Sequence, residues 1–431
     1  DNVLNHTRNG NATMVDADGL LKWAPHNIIL QSEDGSVEPW NANGVTVSSN
    51  ATAAPNGTLT ADTLSITSTT NARWQQPFSA IAGVAYTARY WVKLISGDPN
   101  ARIWDPSSGT SLYFVATSEW QLITLSFVAA STLSSYYVRF LQGTNDVNQE
   151  FAVWGAHLYR SDLGGMVNNP NADVGFETYV PTTNAARYLP RENHHVYNGS
   201  AWVKEGYLHE PETATNLLLN SGTLSTQNVT VTAVPNTLHF TGTGTVTLSG
   251  TATDGPLVGT GTGENNRVNL TFTPSAGTLT VTVSGTVTNA QLEVGSVPTS
   301  DIPTAGSTVT RAADTLTLPV ANIPYPTGAN LAVSIGYKAL VTGQNSGFAN
   351  WTSDANNGVL MQSGTNDFTF TQEAGGTVDS VTGGSYTSGV NVPVSIAMRN
   401  GSTFINGAID GTALTANTTP TAFPDLSTTD L

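Results

Sequence analysis

The residues best suited to chemistry in this chain are two tryptophans with polar neighbours. Trp91 lies between Arg89 and Lys93, and Trp104 is followed directly by Asp105. An indole ring can stack on the apolar C–H face of a sugar, while Arg and Asp side chains can bond to its hydroxyls. Arg89, Trp91, Trp104 and Asp105 are therefore the candidate ligand-binding residues, with a glycan as the ligand. The alternative is that each tryptophan is a core residue of a β-sandwich, because indole rings bury large areas.

Catalytic chemistry has less support. The carboxylates are scattered, and no spacing selects the pair that glycoside hydrolysis requires. No Gly-x-Ser-x-Gly nucleophile motif occurs, and the chain has no cysteine for a thiolate nucleophile, a disulfide or a metal site. His194 and His195 are adjacent, so on a strand they would point to opposite faces. We predict that the chain is not an enzyme and has neither a catalytic nor a metal site.

One segment resembles the start of a calcium-binding loop. Asp16-Ala17-Asp18-Gly19 has the opening residues, but the twelfth position from Asp16 is Asn27, where such a loop needs a glutamate. The same residues suit the tight turn of a β-hairpin, because Asp-Gly tolerates positive φ angles. We favour the turn and predict no cofactor, with calcium as the alternative that no motif supports.

Composition and charge limit the class of protein. The chain has 431 residues, of which only 11% are charged, and 15 basic against 31 acidic residues give a net charge of −16. Nucleic acid is excluded as a partner, since phosphate binding needs clustered Lys and Arg. No run approaches the 18 apolar residues of a membrane span, so we predict no membrane insertion. The length indicates two to four domains, and the Thr-, Asn- and Gly-rich remainder suits β-sandwiches.

Three short signatures occur twice in the same order. The copies are Asn27–Ser32 and Asn216–Ser221, then Gly155–Tyr159 and Asn289–Glu293, then Thr178–Thr182 and Ser300–Thr304. A recurring opening and closing motif indicates a duplicated module, because each copy must close its own core.

The alternating patterns predict an all-β chain of tandem antiparallel β-sandwich domains of jelly-roll type, joined by short hairpin linkers. Tyr86 to Lys93 alternates apolar with polar residues, and 228–232 and 279–283 do so strictly. An Asn-Gly hairpin is expected at 400–407. The predicted boundaries are a linker and hairpin at 1–26, a first module at 27–187, a hairpin linker at 188–215, a second and shorter module at 216–310, and a third sandwich at 311–431.

The signatures resemble those of jelly-roll, carbohydrate-binding-type modules in phage virion proteins, especially tail fibres and head spikes. The second copy carries the resemblance through Asn289–Glu293, Thr299–Thr304 and Thr310–Asp314. The first copy departs from it, with His157 and Tyr159 in place of Gln and Glu and an insertion near 162–176. The third segment is similar to concanavalin- or laminin-G-like sandwiches. Because no strong final strand precedes Leu431, we expect that third sandwich to be incomplete.

This resemblance implies a protein of the virion surface that attaches to the host by binding cell-surface polysaccharide. It also implies other virion proteins as partners and a homo-oligomer, commonly a trimer, in which avidity strengthens weak sugar binding. Two alternatives stay open. The modules could be structural virion spacers or decorations without a ligand, or accessory modules of a secreted bacterial polysaccharide-active enzyme.

Overall fold

The structure is a computed structural model that describes residues 4–68, 70–142, 147–322, 330–340, 347–364, 366–386, 391–421 and 423–431, with side chains described for all of these except 141–142, 330–340 and 391–395. Almost all regular structure in these ranges is antiparallel β-strand, as the sequence predicts. The described residues include no helix long and apolar enough to cross a membrane.

The N-terminal segment forms a hairpin before the first sandwich. Its strands are β1 (Asn5–Thr7), β2 (Thr13–Val15), β3 (Leu21–Trp23) and β4 (His26–Asn27). In the turn between β2 and β3, Asp16 Oδ1 accepts the N–H groups of Asp18 and Leu20 at 3.0 and 2.9 Å, and Gly19 has a φ of +78°. The predicted hairpin is confirmed, and Asp16 bonds to its own turn.

The first sandwich consists of two five-stranded sheets. Its strands are β5 (Asn41–Asn43), β6 (Val45–Thr52), β7 (Ala61–Ile66), β8 (Arg73–Ala80), β9 (Ala85–Ser96), β10 (Asn100–Trp104), β11 (Ser111–Val115), β12 (Gln121–Val128), β13 (Leu133–Gln142) and β14 (Glu150–Arg160). The sheet orders are β11-β10-β13-β8-β5 and β12-β9-β14-β7-β6. As predicted, Tyr86, Ala88, Tyr90 and Val92 face the shared core, because successive side chains of a strand alternate.

A hairpin linker and a smaller sandwich follow. The linker strands are β15 (Arg187–Tyr188), β16 (Arg191–Tyr197) and β17 (Trp202–Leu208). The second sandwich and its exit contain β18 (Ala214–Asn216), β19 (Gln227–Val231), β20 (Asn236–Gly242), β21 (Thr245–Gly250), β22 (Leu257–Val258), β23 (Val268–Phe272), β24 (Gly277–Ser284), β25 (Val287–Val294), β26 (Val309–Arg311) and β27 (Thr315–Thr317), with a 3-10 turn at Glu264–Asn266. Sheets β19-β24-β21-β22 and β23-β20-β25 enclose its core.

The third sandwich follows a 3-10 turn at Val320–Asn322. Its strands are β28 (Asn330–Leu340), β29 (Gly347–Asp354), β30 (Asn357–Ser363), β31 (Phe368–Ala374), β32 (Thr377–Gly383), β33 (Asn391–Gly401), β34 (Asn406–Ile409) and β35 (Thr412–Ala413). The sheets are β28-β33-β34-β35 and β29-β30-β31-β32. The predicted hairpin is present, with Arg399 opposite Asn406. Each sandwich has its own apolar core, which confirms the tandem fold class, whereas the residue boundaries of the domains stay predictions.

The first signature forms a fully buried clasp around Asn27. Its Nδ2 donates to the carbonyl oxygens of Ala156 and Val180, both at 2.9 Å. Its Oδ1 accepts the N–H groups of Ile29 and Leu158, both at 3.0 Å. One asparagine therefore ties the opening segment to the last strand and to the closing segment of the module.

The second signature forms the same clasp around Asn216. Here Nδ2 donates to the carbonyl oxygens of Ala290 and Ile302, both at 2.9 Å, and Oδ1 accepts the N–H groups of Leu218 and Leu292 at 3.1 and 3.2 Å. All four partners occupy the equivalent positions of the repeated sequence.

The closing Thr of each copy completes the clasp. The N–H of Thr182 donates to Ser32 Oγ and that of Thr304 to Ser221 Oγ, both at 2.8 Å. Each Thr hydroxyl then donates to the carbonyl of the residue two positions after the clasp asparagine, at 2.6 Å in the first copy and 2.7 Å in the second. Buried polar groups need hydrogen-bond partners, and the repeated residues supply equivalent partners in both copies.

Candidate functional site

The candidate site lies on the outer face of the sheet β11-β10-β13-β8-β5. In β10, Ala101 and Ile103 enter the core, so Arg102 and Trp104 point outwards. In β13, Val138 and Phe140 enter the core and Tyr137 and Arg139 point outwards by the same alternation. Tyr113 of β11 lies beside them and is 62% exposed.

These outward side chains form an alternating series of rings and guanidinium groups, which we call the ladder face: Tyr113, Arg102, Trp104, Arg139 and Tyr137. The Arg102 guanidinium carbon lies 5.4 Å from the Tyr113 ring centroid and 4.8 Å from that of Trp104. The Arg139 guanidinium carbon lies 5.6 Å from the Trp104 ring centroid and 6.0 Å from that of Tyr137. Contacts within about 6 Å are favourable cation–π interactions, so the cations and rings hold one another in place.

Strand register brings these residues together. Arg102 lies opposite Tyr113, and Trp104 lies opposite Arg139. Arg139 in turn lies opposite Gln75 of β8, which lies opposite Asn41 of β5. One row across the sheet therefore contains an aromatic ring, a cation and two amides.

The same face of the sheet contains buried polar atoms that have no hydrogen-bond partner. Gln75 is only 7% exposed, yet its Oε1 accepts no hydrogen bond. Arg73 precedes Gln75 by two residues on β8 and points to the same outer face, and the Nε–H groups of Arg73 and Arg139 are also buried without an acceptor. Burial, and after it the positive charge of Arg73, lower the pKa of Arg139. Such unsatisfied groups are uncommon in folded proteins and call for a physical explanation.

The cations of this face have no carboxylate partner within the described residues. None of the ion pairs found there involves Arg73, Arg102 or Arg139. Arg102 donates to the Tyr113 hydroxyl at 2.7 Å and Arg73 to the carbonyl of Asn71 at 3.3 Å. The positive charge of the face is therefore not neutralised by an acidic neighbour.

Asp105 does not share the face of Trp104. It follows Trp104 directly, so its side chain turns inwards, and it is fully buried. Its carboxylate accepts the N–H of Ser107 at 2.9 Å, the hydroxyl of Tyr136 at 2.7 Å, and both the N–H and the hydroxyl of Ser108. The geometry gives Asp105 a role in the turn after β10, on the core side of the sheet and away from the ladder face.

Arg89 and Trp91 lie on the opposite side of the same sandwich, on the outer face of β9. Trp91 is half-buried, with its ring centroid 5.5 Å from that of Phe176. Arg89 donates to the Thr178 hydroxyl at 2.6 Å and lies 5.8 Å from the Tyr159 ring. The insertion noted in the sequence supplies Phe176 and thereby covers this face. The predicted residues Arg89 and Trp91 thus lie on one side of the sandwich and Trp104 on the other. Of these two faces, only that of Trp104 is open.

Two adjoining cavities lie at the edge of the covered side, with volumes of about 500 and about 250 Å³. They share Glu33, Pro181 and Arg187. Trp154, Phe176 and Tyr179 line the smaller one, but these rings pack against one another at 4.8 to 5.5 Å between centroids. The Tyr179 hydroxyl donates to Glu33 at 3.0 Å. The cavities therefore offer little open aromatic surface.

Within the described residues, no group of three or more His, Asp or Glu side chains is arranged to hold a metal ion. The Arg102 position could have been found from the sequence, because it lies two residues before Trp104 on the same face. Tyr113, Tyr137, Arg139 and Gln75 carry no such local signal.

No protein-family model matches this chain, and no curated protein matches it. Among solved structures, the chain is similar to the tandem CBM22-1–CBM22-2 domains of Xyn10C from Paenibacillus barcinonensis, at 11% identity and a TM-score of 0.24, covering 66% of this chain and 100% of that one. It is also similar to the CBM22-1–GH10 modules of xylanase 10B from Clostridium thermocellum, complexed with xylohexaose, at 16% identity and a TM-score of 0.23, covering 35% and 29%.

A third similar structure is the arabinose-bound α-L-arabinofuranosidase MgGH51, at 11% identity and a TM-score of 0.27, covering 36% of this chain and 31% of that one. The chain thus spans less than a third of the length of that enzyme and of the xylanase. Carbohydrate-binding modules recur among these similar structures, but at such TM-scores the similarity carries no argument for fold or ligand.

Proposed function

We propose that this chain is a glycan-binding protein whose ladder face contacts the sugar, and that it acts on a virion surface in attachment to host polysaccharide. The ladder face carries this proposal. It combines an exposed tyrosine ring with outward-facing arginines, and beside Arg139 lies Gln75, whose buried amide oxygen accepts no hydrogen bond. Aromatic rings bind the apolar faces of sugars, and the polar groups fix the orientation of the hydroxyls.

The roles within the face follow from exposure and contact. Tyr113 is the open ring, so it offers the stacking surface. Trp104 makes cation–π contacts with both Arg102 and Arg139, and it therefore holds these two cations in position. Arg139 and Gln75 provide the hydrogen-bonding groups.

The setting on a virion rests on the repeated signatures and their resemblance to modules of tail fibres and head spikes. In that setting the chain binds without catalysis, and several copies, as in a trimer, would raise a weak affinity through avidity. Partners would be host cell-surface polysaccharide and other virion proteins. Detection of the protein on purified particles by mass spectrometry and antibody labelling tests this setting separately from the binding.

A glycan array of bacterial surface polysaccharides tests the binding itself. We expect the chain to bind a subset of glycans, and Tyr113→Ala to weaken that binding about tenfold or more, which corresponds to about 1.4 kcal/mol. Tyr197→Ala is the matched control, because Tyr197 is an exposed aromatic residue of the linker hairpin. Unchanged binding by the Tyr113 variant would reject the ladder face, and binding to no glycan would leave the modules as spacers.

A further inference from the structure

We propose that the ladder face selects sugars that carry an anionic group. This inference rests on the proposed function and deepens it by naming the class of glycan. Its basis is the pair of arginines Arg73 and Arg139, the amide of Gln75 opposite Arg139, and the absence of any carboxylate paired with these two cations among the described residues.

The first step concerns charge. The chain has a net charge of −16, so its average field repels acidic polymers. Three arginines concentrated on one sheet face form a local exception to that field. Arg73 lies two residues before Gln75 on the same face of β8, and Gln75 lies opposite Arg139, so the two like charges are diagonal neighbours that repel each other. An anion bound between the two guanidinium groups would relieve this repulsion, whereas a neutral sugar would not.

The second step concerns hydrogen bonds. The buried Nε–H groups of Arg73 and Arg139 are donors without acceptors, and Gln75 Oε1 is an acceptor without a donor. An acidic sugar supplies both complements, because its anionic oxygens accept from the guanidinium groups and a neighbouring hydroxyl donates to the amide oxygen. A neutral sugar could satisfy Gln75, but it would form weaker bonds with the two arginines.

The third step concerns position. Gln75 lies directly opposite Arg139, and Arg139 lies opposite Trp104. A sugar that places its charged group over Arg139 and Arg73 can therefore extend along the row to Trp104 and then, past Arg102, to Tyr113. The charged group and the stacking surface lie on one continuous face, as recognition of a chain of acidic sugars requires.

The experiment compares three probes on the full-length chain by calorimetry. They are an oligomer of galacturonic acid, the same oligomer with its carboxylates reduced to alcohols, and a sulfated galactose oligomer of equal length. We expect at least tenfold tighter binding of an acidic probe than of the reduced one in dilute buffer, with the difference shrinking as salt is raised, because salt screens exposed charges. The carboxylated and sulfated probes distinguish the two sources of anionic charge.

Variants then assign the preference to residues. Arg139→Gln and Arg73→Gln should each remove most of the preference for the acidic probe, Arg139→Lys should retain part of it, and Tyr113→Ala should weaken both acidic and reduced probes. Arg187→Gln is the control, because Arg187 is an exposed arginine away from this face. Hydrogen exchange of residues 70–142 checks that each variant is folded.

Two outcomes would overturn the inference, and they differ from failure of the proposed function. If acidic and reduced probes bind equally and binding still depends on Tyr113, the face binds glycans without selecting charge. If the glycans found on the array are neutral and the acidic probes do not compete with them, the inference is likewise wrong. Absence of all glycan binding would instead overturn the proposed function and this inference together.

Discussion

At the scale of single residues, Trp91 and Trp104 have different environments although both point away from the main core. Trp91 packs under Phe176, whereas Trp104 lies on the ladder face between two arginines. We expect Trp91→Ala to destabilise the first sandwich by about 2 kcal/mol or more, through lost packing, with little effect on glycan affinity. Trp104→Ala should reduce affinity with a smaller loss of stability. Urea unfolding and glycan titration of both variants separate these effects, and a reversed pattern would contradict the assignment.

Two buried histidines make the first sandwich sensitive to acid. His157 Nε2 donates to the carbonyl of His26 at 2.9 Å, and His26 Nε2 accepts the N–H of Arg160 at 3.0 Å. Burial lowers the pKa of each histidine to about 3. The pKa of each histidine is lower in the folded than in the unfolded chain. The stability that the two neutral histidines contribute is therefore complete above about pH 6.5 and is lost as the pH falls towards 3.

The second copy has Gln291 where the first has His157, which provides a matched variant. We expect His157→Gln to make the stability of the first sandwich less dependent on pH, by about 2 to 3 kcal/mol between neutral pH and about pH 4.5. Hydrogen exchange of peptides from 27–187 measures this difference. Identical pH profiles for the variant and the wild type would show that His157 is not buried in its neutral form.

At the scale of elements, the clasp predicts equal consequences in both copies. Asn27→Ala and Asn216→Ala each remove four hydrogen bonds to buried backbone groups. An unsatisfied buried group costs about 1–3 kcal/mol, so we expect a loss of about 3 kcal/mol or more in the affected sandwich alone. Peptide-resolved hydrogen exchange checks this, since the second sandwich contains no tryptophan to report on it.

Asn228→Ala is the control for this comparison. Asn228 is an exposed asparagine of β19, so its loss should change stability by less than about 0.5 kcal/mol. If Asn27→Ala and Asn216→Ala differ widely, or if either one destabilises both sandwiches equally, the two signatures do not close separate modules.

The strands also explain which features of the fold and of the site could be predicted from the sequence. The repeated signatures are local and recur, so they predict both modules, and strict alternation predicts strands such as β9, β19 and β24. The same alternation makes Asp105 point to the other face of the strand from Trp104. The sequence prediction groups the two residues in one site although they are adjacent on a strand. Tyr113, Arg139 and Gln75 could not be assigned to the site, because strand pairing between distant segments brings them together and register cannot be derived from alternation alone.

At the scale of the whole molecule, a buried ionic junction ties the linkers to the second sandwich. The Asp314 carboxylate accepts hydrogen bonds from Arg8 at 2.8 Å and from Arg191 at 2.5 Å. Arg191 also donates a hydrogen bond to the Glu210 carboxylate at 2.5 Å. These residues come from the N-terminal segment, the hairpin linker and the exit from the second sandwich. Beside them, β1 pairs with β27. The Thr310–Asp314 signature therefore supplies the centre of a junction between segments far apart in sequence.

Charge governs this junction. Burial opposes the ionised form of Glu210, but Arg191 and Arg311 lower its pKa to about 2. The pKa of Asp314 is likewise held well below its usual range, because the bond from His6 and the charges of Arg191 and Arg8 outweigh burial. Both pKa values are lower in the folded than in the unfolded chain. The stability that the two ionised carboxylates contribute is therefore present above about pH 4.5 and is lost as the pH falls towards 2.

Removal of one carboxylate tests the junction. We expect Asp314→Ala to cost about 3–5 kcal/mol, because Arg8 and Arg191 would remain buried without that partner. Hydrogen exchange should increase in 4–15 and 188–215, while the third sandwich stays protected. The control is Asp254→Ala, which removes an exposed carboxylate of the second sandwich. Unchanged exchange in both segments would show that the junction does not hold them.

The most direct test of glycan binding by the ladder face is the set of tryptophan indole N–H signals in nuclear magnetic resonance spectra. The chain has nine tryptophans, and only Trp104 belongs to the ladder face. During titration with an oligosaccharide that the array identifies, we predict a saturable shift of the Trp104 signal, with the Trp91 and Trp351 signals unmoved. A stationary Trp104 signal together with a shift of Trp91 or Trp154 would contradict the account and place the ligand on the opposite side of the sandwich.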